Sequence, residues 1–164
     1  MTPAGVRAGT GYDSHRFSDA RPLVLGGVTI PDAPGLGGHS DGDAVLHALI
    51  DALLGAAALG SIGLLFPDTD PSLAAVDSAR LLSRVVDLLG EGNWRVVNAD
   101  VTVITERPRI QPHAEAMCRR IAGLLGVPRT AVSVKGKSNE GMGWIGRGEG
   151  LAVMAVALID RAAD

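Results

Sequence analysis

Apolar and polar positions alternate along the chain with two different periods, and each period predicts one kind of element. Apolar residues that recur every three to four positions predict helices over about residues 40–60, 77–90 and 112–126. Ser40 is a good N-cap for the first helix, and Asp43 three residues later completes an acidic capping box. The chain therefore has at least three amphipathic segments that need an apolar surface to pack against.

Segments rich in β-branched or alternating residues predict strands over residues 7–16, 23–30, 94–106, 132–135 and 151–159. The first two form a loose hairpin, and Gly26-Gly27 is interpreted as a bulge in the second. Loops are predicted over residues 31–38, 61–76 and 136–150. The last strand is apolar on both faces, so we expect helices on one face and a second subunit on the other.

This order of elements predicts an α+β fold, a two-layer α/β sandwich with a mixed sheet of the four-stranded type and helices on one face. No linker or repeat interrupts residues 1–164, so we expect a single domain.

Composition narrows the range of functions. The 164 residues carry a net charge of −3, which argues against a nucleic-acid or anionic-membrane partner because such partners need a basic face. The lone cysteine, Cys118, excludes an intramolecular disulfide and a multi-cysteine zinc site, and is expected to be buried in a helix. No secretory signal and no apolar run of membrane-spanning length are present, so we expect a cytoplasmic protein.

Histidines and aspartates suggest a metal site. Side chains two positions apart on a strand point to the same side, so Asp13 and His15 project together. If the first helix packs on the first strand, His47 meets them. Two imidazoles and one carboxylate suit zinc, and three protein ligands leave a fourth position open, as in catalytic sites. The alternative is that His47 is an ordinary solvated side chain and that the D-x-H string holds no metal.

Three further aspartates lie near His47 in the sequence. Asp41 is interpreted as a charge that stabilises the N-terminus of the first helix. Asp43 and Asp51 lie four residues before and after His47, on the same helix face, and either could orient its second ring nitrogen.

The glycine-rich segment 136–150 suggests phosphate chemistry. Backbone N–H groups of such loops converge on phosphate oxygens, and Glu140 among them fits a magnesium ion held by one carboxylate and substrate phosphates. Arg147 is flanked by glycines and can approach an anion closely, while residues 108–112 form a rigid link with free backbone groups. The alternative for all three features is an ordinary surface turn or linker.

Five motifs occur in one order along the chain: G-Y-D-S-H at residues 11–15, H-S-D-G-D at 39–43 with His47, F-P-D-T-D-P at 66–71, N-A-D-V-T at 98–102 and G-R-G-E-G at 146–150. Together they closely resemble the 2-C-methyl-D-erythritol 2,4-cyclodiphosphate synthases of the non-mevalonate route to isoprenoid precursors. The resemblance extends over residues 7–159.

The resemblance implies a phosphorus–oxygen lyase. In that reaction the 2-phosphate of 4-diphosphocytidyl-2-C-methyl-D-erythritol 2-phosphate attacks the β-phosphorus, CMP leaves and a cyclic diphosphate forms. Asp13, His15 and His47 match the zinc ligands of the family, and Glu140 matches the ligand of a magnesium or manganese ion that bridges the phosphates. His39 and Ser138 match residues that stabilise the transition state.

The resemblance also implies substrate contacts and an assembly. The erythritol and phosphate side corresponds to Ser40, Ser61, Ile62, Gly63, Phe66, Pro67, Asp68, Thr69 and Asp70; the cytidine side to Thr105, Glu106, Arg107, Pro108, Arg109, Ile110 and Gln111; and the phosphate and axial region to Lys137, Asn139, Trp144 and Arg147. The family is a homotrimer with active sites between subunits, and some members bind an isoprenoid diphosphate in the axial cavity beside the equivalent of Arg147. This chain departs from the family at Ser61, where aspartate is frequent, and at Trp144, where phenylalanine is usual. Gln111 replaces a more apolar residue in the cytidine loop, and Lys137 adds a cation beside the phosphates.

Two other functions are compatible with the same residues. One is a metal-dependent phosphohydrolase that uses water as its nucleophile. The other is a non-catalytic module that binds an isoprenoid diphosphate or a nucleotide.

Overall fold

The computed structural model describes residues 5–161, which form one mixed sheet with helices packed on it. In chain order the elements are β1 (Gly5–Leu25), β2 (Val28–Leu36), α1 (Ala44–Ala57), α2 (Ile62–Leu65), α3 (Ser78–Glu91), β3 (Arg95–Ile104), α4 (Gln111–Leu125), β4 (Val132–Lys137), α5 (Gly143–Gly146) and β5 (Gly150–Arg161). The strand order is β2-β1-β5-β3-β4. Within residues 5–161 the β3–β4 pair is parallel and the other neighbouring pairs are antiparallel.

The sheet has five strands, so the prediction of a four-stranded type is wrong, and so is the predicted hairpin between residues 16 and 23. β1 runs without a break through that segment and turns at Gly26 and Gly27, both with positive φ. The predicted loop 31–38 lies mostly within β2. Its partner explains this: β1 and β2 pair from Phe17 to Leu25, with a register shift around Pro22 that admits proline.

α1 packs directly on β1 because two glycines leave room for its backbone. A Cβ atom on Gly9 would lie 2.0 Å from the Ala52 carbonyl oxygen, and one on Gly11 would lie 1.8 Å from that of Ala48. The helix therefore rests on the strand without intervening side chains. This contact places His47, which precedes Ala48 on α1, over the part of β1 that follows Gly11.

The first helix begins later than predicted. Its N-cap is Asp43, whose Oδ1 accepts from the N–H of Leu46, and not Ser40. The same carboxylate also accepts from the N–H groups of Gly26 (2.9 Å) and Gly27 (2.7 Å). The helix therefore begins at Asp43, because this carboxylate also satisfies the N–H donors of the β1–β2 turn, which need a buried acceptor.

The three long helices, α1, α3 and α4, pack in one hydrophobic core on one face of the sheet, as predicted. On the other face, Tyr12 of β1 and Met154 of β5 pair across the strands and remain 58% and 55% exposed. Val156 is also exposed there, so the described residues leave an apolar surface uncovered at the centre of the sheet. Within residues 5–161 no helix is long and apolar enough to cross a membrane.

Candidate active site

Asp13 and His15 project from β1 toward α1, where they meet His47. The Oδ2 atom of Asp13 lies 3.0 Å from Nδ1 of His15 and 3.3 Å from Nδ1 of His47. Among the described residues, these three form the one group of histidine, cysteine and acidic side chains whose ligand atoms all lie within 4.8 Å of one another. The structure thus brings together the three residues that the D-x-H motif and the helix spacing predicted.

The donor atoms fit a divalent cation. Asp13 Oδ2 and His15 Nδ1 are buried. Although the two atoms lie 3.0 Å apart, neither makes a hydrogen bond of acceptable geometry within the described part of the chain. Burial opposes ionisation of Asp13, but His15 and His47 outweigh it and hold its pKa below the ordinary value. Burial also opposes protonation of His47, but Asp13 outweighs it and raises the pKa of His47. A carboxylate and two imidazole nitrogens therefore converge on a point where a cation would satisfy all three.

The second nitrogen of His47 faces two hydroxyl groups. Its Nε2 lies 3.0 Å from Oγ of Ser40 and 2.8 Å from Oγ of Ser78. Neither aspartate predicted to orient it does so. Asp43 binds the β1–β2 turn, and Asp51 accepts from the N–H of Ile62 at 2.6 Å.

Asp41, predicted as a charge at the start of α1, accepts from the N–H of the N-cap Asp43 and also has partners outside that helix. Its Oδ2 accepts from the N–H of Ser78 at 2.9 Å and its Oδ1 from the Ser78 hydroxyl at 2.5 Å. It therefore binds the first turn of α3, which lies 37 residues away along the chain. Sequence reasoning missed Ser78 because only its role next to the N-cap Asp77 is visible locally.

A cavity of about 270 Å³ opens beside the metal cluster. Besides Asp13, His15 and His47, it is lined by six residues with a predicted role in transition-state stabilisation or in erythritol and phosphate binding: His39, Ser40, Ile62, Gly63, Phe66 and Asp68. Sequence analysis did not identify its apolar wall, which is formed by Leu73, Val76 and Leu81. This cavity combines a metal-binding edge with hydroxyl and imidazole donors.

Arg21 supports the loop before α1. Its guanidinium donates to the carbonyl oxygens of Gly38 (2.9 Å) and Ser40, and Gly37 donates its N–H to the Arg16 carbonyl. These bonds hold His39 and Ser40 at the cavity. Sequence reasoning missed Arg21 because nothing in its local sequence indicates these partners.

A second cavity of about 350 Å³ lies at the end of β3. It brings together six of the predicted cytidine-side residues with part of the glycine-rich loop: Thr105, Glu106, Pro108, Arg109, Ile110, Gln111, Gly136, Lys137 and Ser138. Thr105 donates its hydroxyl to the Arg107 carbonyl at 2.6 Å, and the Arg107-Pro108 peptide is cis. The backbone here is shaped to present its own polar groups.

Glu106 has a role that its predicted substrate contact did not include. Its Oε1 accepts from the backbone N–H groups of Asn139 (2.8 Å) and Gly141 (3.2 Å). It thereby holds the loop that carries Ser138 and Glu140, whose side chains are joined by a hydrogen bond of 3.1 Å. The prediction that this loop is shaped agrees with the positive φ of Glu140.

Several predicted residues lie away from both cavities. Trp144 adjoins His15 in a smaller cavity of about 200 Å³, and Arg107 lines another with Asp32. Arg147 pairs with Glu149 at 2.7 Å. The remaining ones line neither main cavity: Ser61, Pro67, Thr69, Asp70, Asn139 and Glu140. Within residues 5–161 the metal cluster and the cytidine-side cavity have no lining residue in common.

Comparison with known proteins gives consistent matches over nearly the whole chain. A sequence model described as the YgbB family matches residues 6–160. A 2-C-methyl-D-erythritol 2,4-cyclodiphosphate synthase from Gemmatimonas aurantiaca is 56% identical over 94% of this chain and 93% of its own length. The synthase of Symbiobacterium thermophilum is 58% identical over 92% and 96%. The CDP complex of IspF from Plasmodium falciparum is 32% identical and superposes with a TM-score of 0.86 over 99% of this chain and 100% of that one.

Proposed function

The chain belongs to the YgbB family, and from this membership we propose that it converts 4-diphosphocytidyl-2-C-methyl-D-erythritol 2-phosphate to 2-C-methyl-D-erythritol 2,4-cyclodiphosphate and CMP. The family resemblance of its motifs is thereby confirmed. The single observation that carries the proposal from family to chain is the intact cluster of Asp13, His15 and His47, which opens on a cavity with phosphate-side donors.

The reaction is an internal phosphoryl transfer. An oxygen of the 2-phosphate forms a bond to the β-phosphorus, and the bond from that phosphorus to the bridging oxygen breaks, so that the electron pair leaves with CMP. No protein nucleophile is needed, and catalysis consists of positioning and charge stabilisation. We assign Asp13, His15 and His47 to zinc, which when bound holds and polarises a phosphate oxygen as a Lewis acid.

The other residues position the substrate. His39 and Ser40 face the metal cavity and can donate to phosphate oxygens. Lys137 and Ser138 present an ammonium and a hydroxyl at the cytidine-side cavity, where they can stabilise charge on the diphosphate. We assign Glu140 as the residue that would hold a magnesium or manganese ion, which would neutralise charge on the substrate phosphates.

We propose that the complete site forms between subunits of a homotrimer. The substrate links cytidine to the erythritol through a diphosphate, yet the two cavities that match these parts share no residue within one chain. The exposed apolar surface around Tyr12, Met154 and Val156 offers a face for association. An isoprenoid diphosphate near Arg147 on the trimer axis and a cytoplasmic location stay predictions.

Phosphorus NMR of the reaction tests the activity. We expect a cyclic diphosphate and CMP in equal amounts. Release of inorganic phosphate, or of CMP together with an open-chain bisphosphate, would support the phosphohydrolase alternative instead. Tight binding of the substrate without turnover by zinc-loaded protein would support the non-catalytic module.

Mixed trimers test whether the site is shared. His47→Ala and Ser138→Ala each disable a different half-site, so each homotrimer should be at least ~10²-fold slower than wild type. After the two variants are unfolded together and refolded at equal concentration, about a quarter of shared sites combine two intact halves, so about a quarter of the wild-type rate should return. Activity that stays at the level of the separate variants would place each site within one chain.

A further inference from the structure

We propose that Ser78 and Asp41 form a hydrogen-bonded relay that holds His47 in the tautomer and orientation required for metal binding. Both are positioning residues, because neither lines the cavity. The inference rests on the proposed metal site.

The direction of the hydrogen bonds follows from the chemistry of the groups. An ionised carboxylate only accepts, so the Ser78 hydroxyl must give its single hydrogen to Asp41 Oδ1, 2.5 Å away. The Oγ atom of Ser78 then has only lone pairs to offer His47. At 2.8 Å it can therefore only accept, and Nε2 of His47 must carry the proton.

This proton assignment has a consequence for the other ring nitrogen. A neutral imidazole protonated at Nε2 has a lone pair at Nδ1, and Nδ1 is the atom that lies 3.3 Å from Asp13 Oδ2. The relay thus directs the lone pair of His47 at the point where Asp13 and His15 converge. A metal-ligating histidine commonly has its other nitrogen fixed in this way.

The relay is rigid at its far end. Ser78 is fully buried in the first turn of α3, and Asp41 accepts two bonds from it and a third from the N–H of Asp43. The His47 ring is therefore tied to α3 as well as carried by α1. Ser40 also approaches Nε2, but no carboxylate among the described residues accepts from its hydroxyl, so its hydrogen can point to the cavity.

The relay is tested by two measurements on full-length protein. The variant is Ser78→Ala, and the matched control is Ser83→Ala on the same helix, where the hydroxyl donates only to the Ala79 carbonyl. Zinc affinity is measured by competition with a chromophoric chelator. We expect Ser78→Ala to bind zinc about 10–100-fold more weakly than wild type, and the control to stay within about twofold.

The second measurement reports the tautomer directly and does not require zinc. Nitrogen NMR of metal-free protein with labelled histidine, at about pH 9 where imidazole is neutral, should show His47 protonated at Nε2 in wild type and in Ser83→Ala. In Ser78→Ala the two tautomers should mix. Asp41→Asn provides a second route, because its amide nitrogen would face the N–H of Ser78 or its hydroxyl, and it should give the same mixture.

The relay would be overturned if Ser78→Ala had wild-type zinc affinity and a single Nε2–H tautomer. Should Ser78→Ala fail to fold, the same result in Asp41→Asn would overturn it. Equal weakening by Ser78→Ala and Ser83→Ala would also overturn it, since the effect would then be general loosening of α3. Absence of zinc binding by wild type would count against the proposed function, while the tautomer measurement would still decide the relay.

Discussion

Gly11→Ala should displace α1 and with it the metal site. The new Cβ would lie 1.8 Å from the Ala48 carbonyl oxygen and 2.9 Å from the Ala52 nitrogen, both of which are backbone atoms that cannot rotate away. Ordinary contact begins at 3.4 Å, so the helix must withdraw locally by about 1.6 Å. His47 lies on the same turn of α1 as Ala48 and would move with it.

The size of the effect follows from the packing. Overfilling a packed core costs about 1–3 kcal/mol, and because both partners here are backbone we expect about 3 kcal/mol. For a chain of this length that corresponds to a decrease in Tm of roughly 6–12 °C. Metal–ligand distances tolerate only about 0.2 Å, so zinc affinity should fall together with stability.

The assay compares urea unfolding of metal-free wild type, Gly11→Ala and Gly123→Ala at one protein concentration. Gly123 is an exposed position in α4 with nothing within 4 Å of a new Cβ, so alanine there should stabilise the protein by about 0.5–1 kcal/mol. The two identical substitutions should therefore have opposite signs. Equal effects on stability, or full zinc affinity in Gly11→Ala, would refute the direct packing of α1 on β1.

Three further predictions concern other parts of the site. Glu106→Gln weakens the charge-assisted bonds to the N–H groups of Asn139 and Gly141 and should slow turnover about tenfold with zinc content unchanged; steady-state kinetics and metal analysis test it, and a wild-type rate would contradict it. Burial raises the pKa of Asp43 to about 6 from 3.8, so the native state holds this proton more tightly than the unfolded state. The free energy of unfolding of wild type relative to Asp43→Asn should therefore fall by up to about 3 kcal/mol as pH rises from about 4 through 6. Urea unfolding of both proteins across that range tests it, and parallel pH profiles of the two unfolding free energies would contradict it. Free zinc at 100 times its Kd should raise the unfolding free energy of metal-free protein by about 2.7 kcal/mol, an increment that His15→Ala should lose; an equal increment in that variant would remove His15 from the ligand set.

The local sequence pattern was sufficient to predict the elements that are defined by residues within their own segment. The helices α3 and α4 were predicted within a residue or two because apolar spacing and a local cap define them. The predicted hairpin placed its turn at S-D-A-R-P, residues 18–22, because these residue types favour turns, whereas pairing with β2 holds the segment as strand. That pairing is tertiary, and no local signal reports it.

The metal ligands were predictable for a related reason. The strand period places Asp13 beside His15, and only the assumption that α1 packs on β1 was needed to add His47. The groups that support these ligands were not predictable, because Ser78 meets His47 across 31 residues and Arg21 meets the loop before α1 across 17 or more. Hydrogen bonds of this kind depend on the finished fold.

In the H-S-D-G-D motif, His39 and Ser40 line the cavity, and the two aspartates hold the loop in place. Asp41 and Asp43 are separated by one glycine, yet Asp43 binds the β1–β2 turn and Asp41 binds the start of α3. Gly42 between them has a φ of +76°, and a Cβ there would lie 2.8 Å from the Leu36 carbonyl oxygen, so the backbone can reverse only at glycine. The two carboxylates thus anchor the loop to both layers of the fold, and the residue before them, Ser40, is presented to the cavity on a fixed backbone.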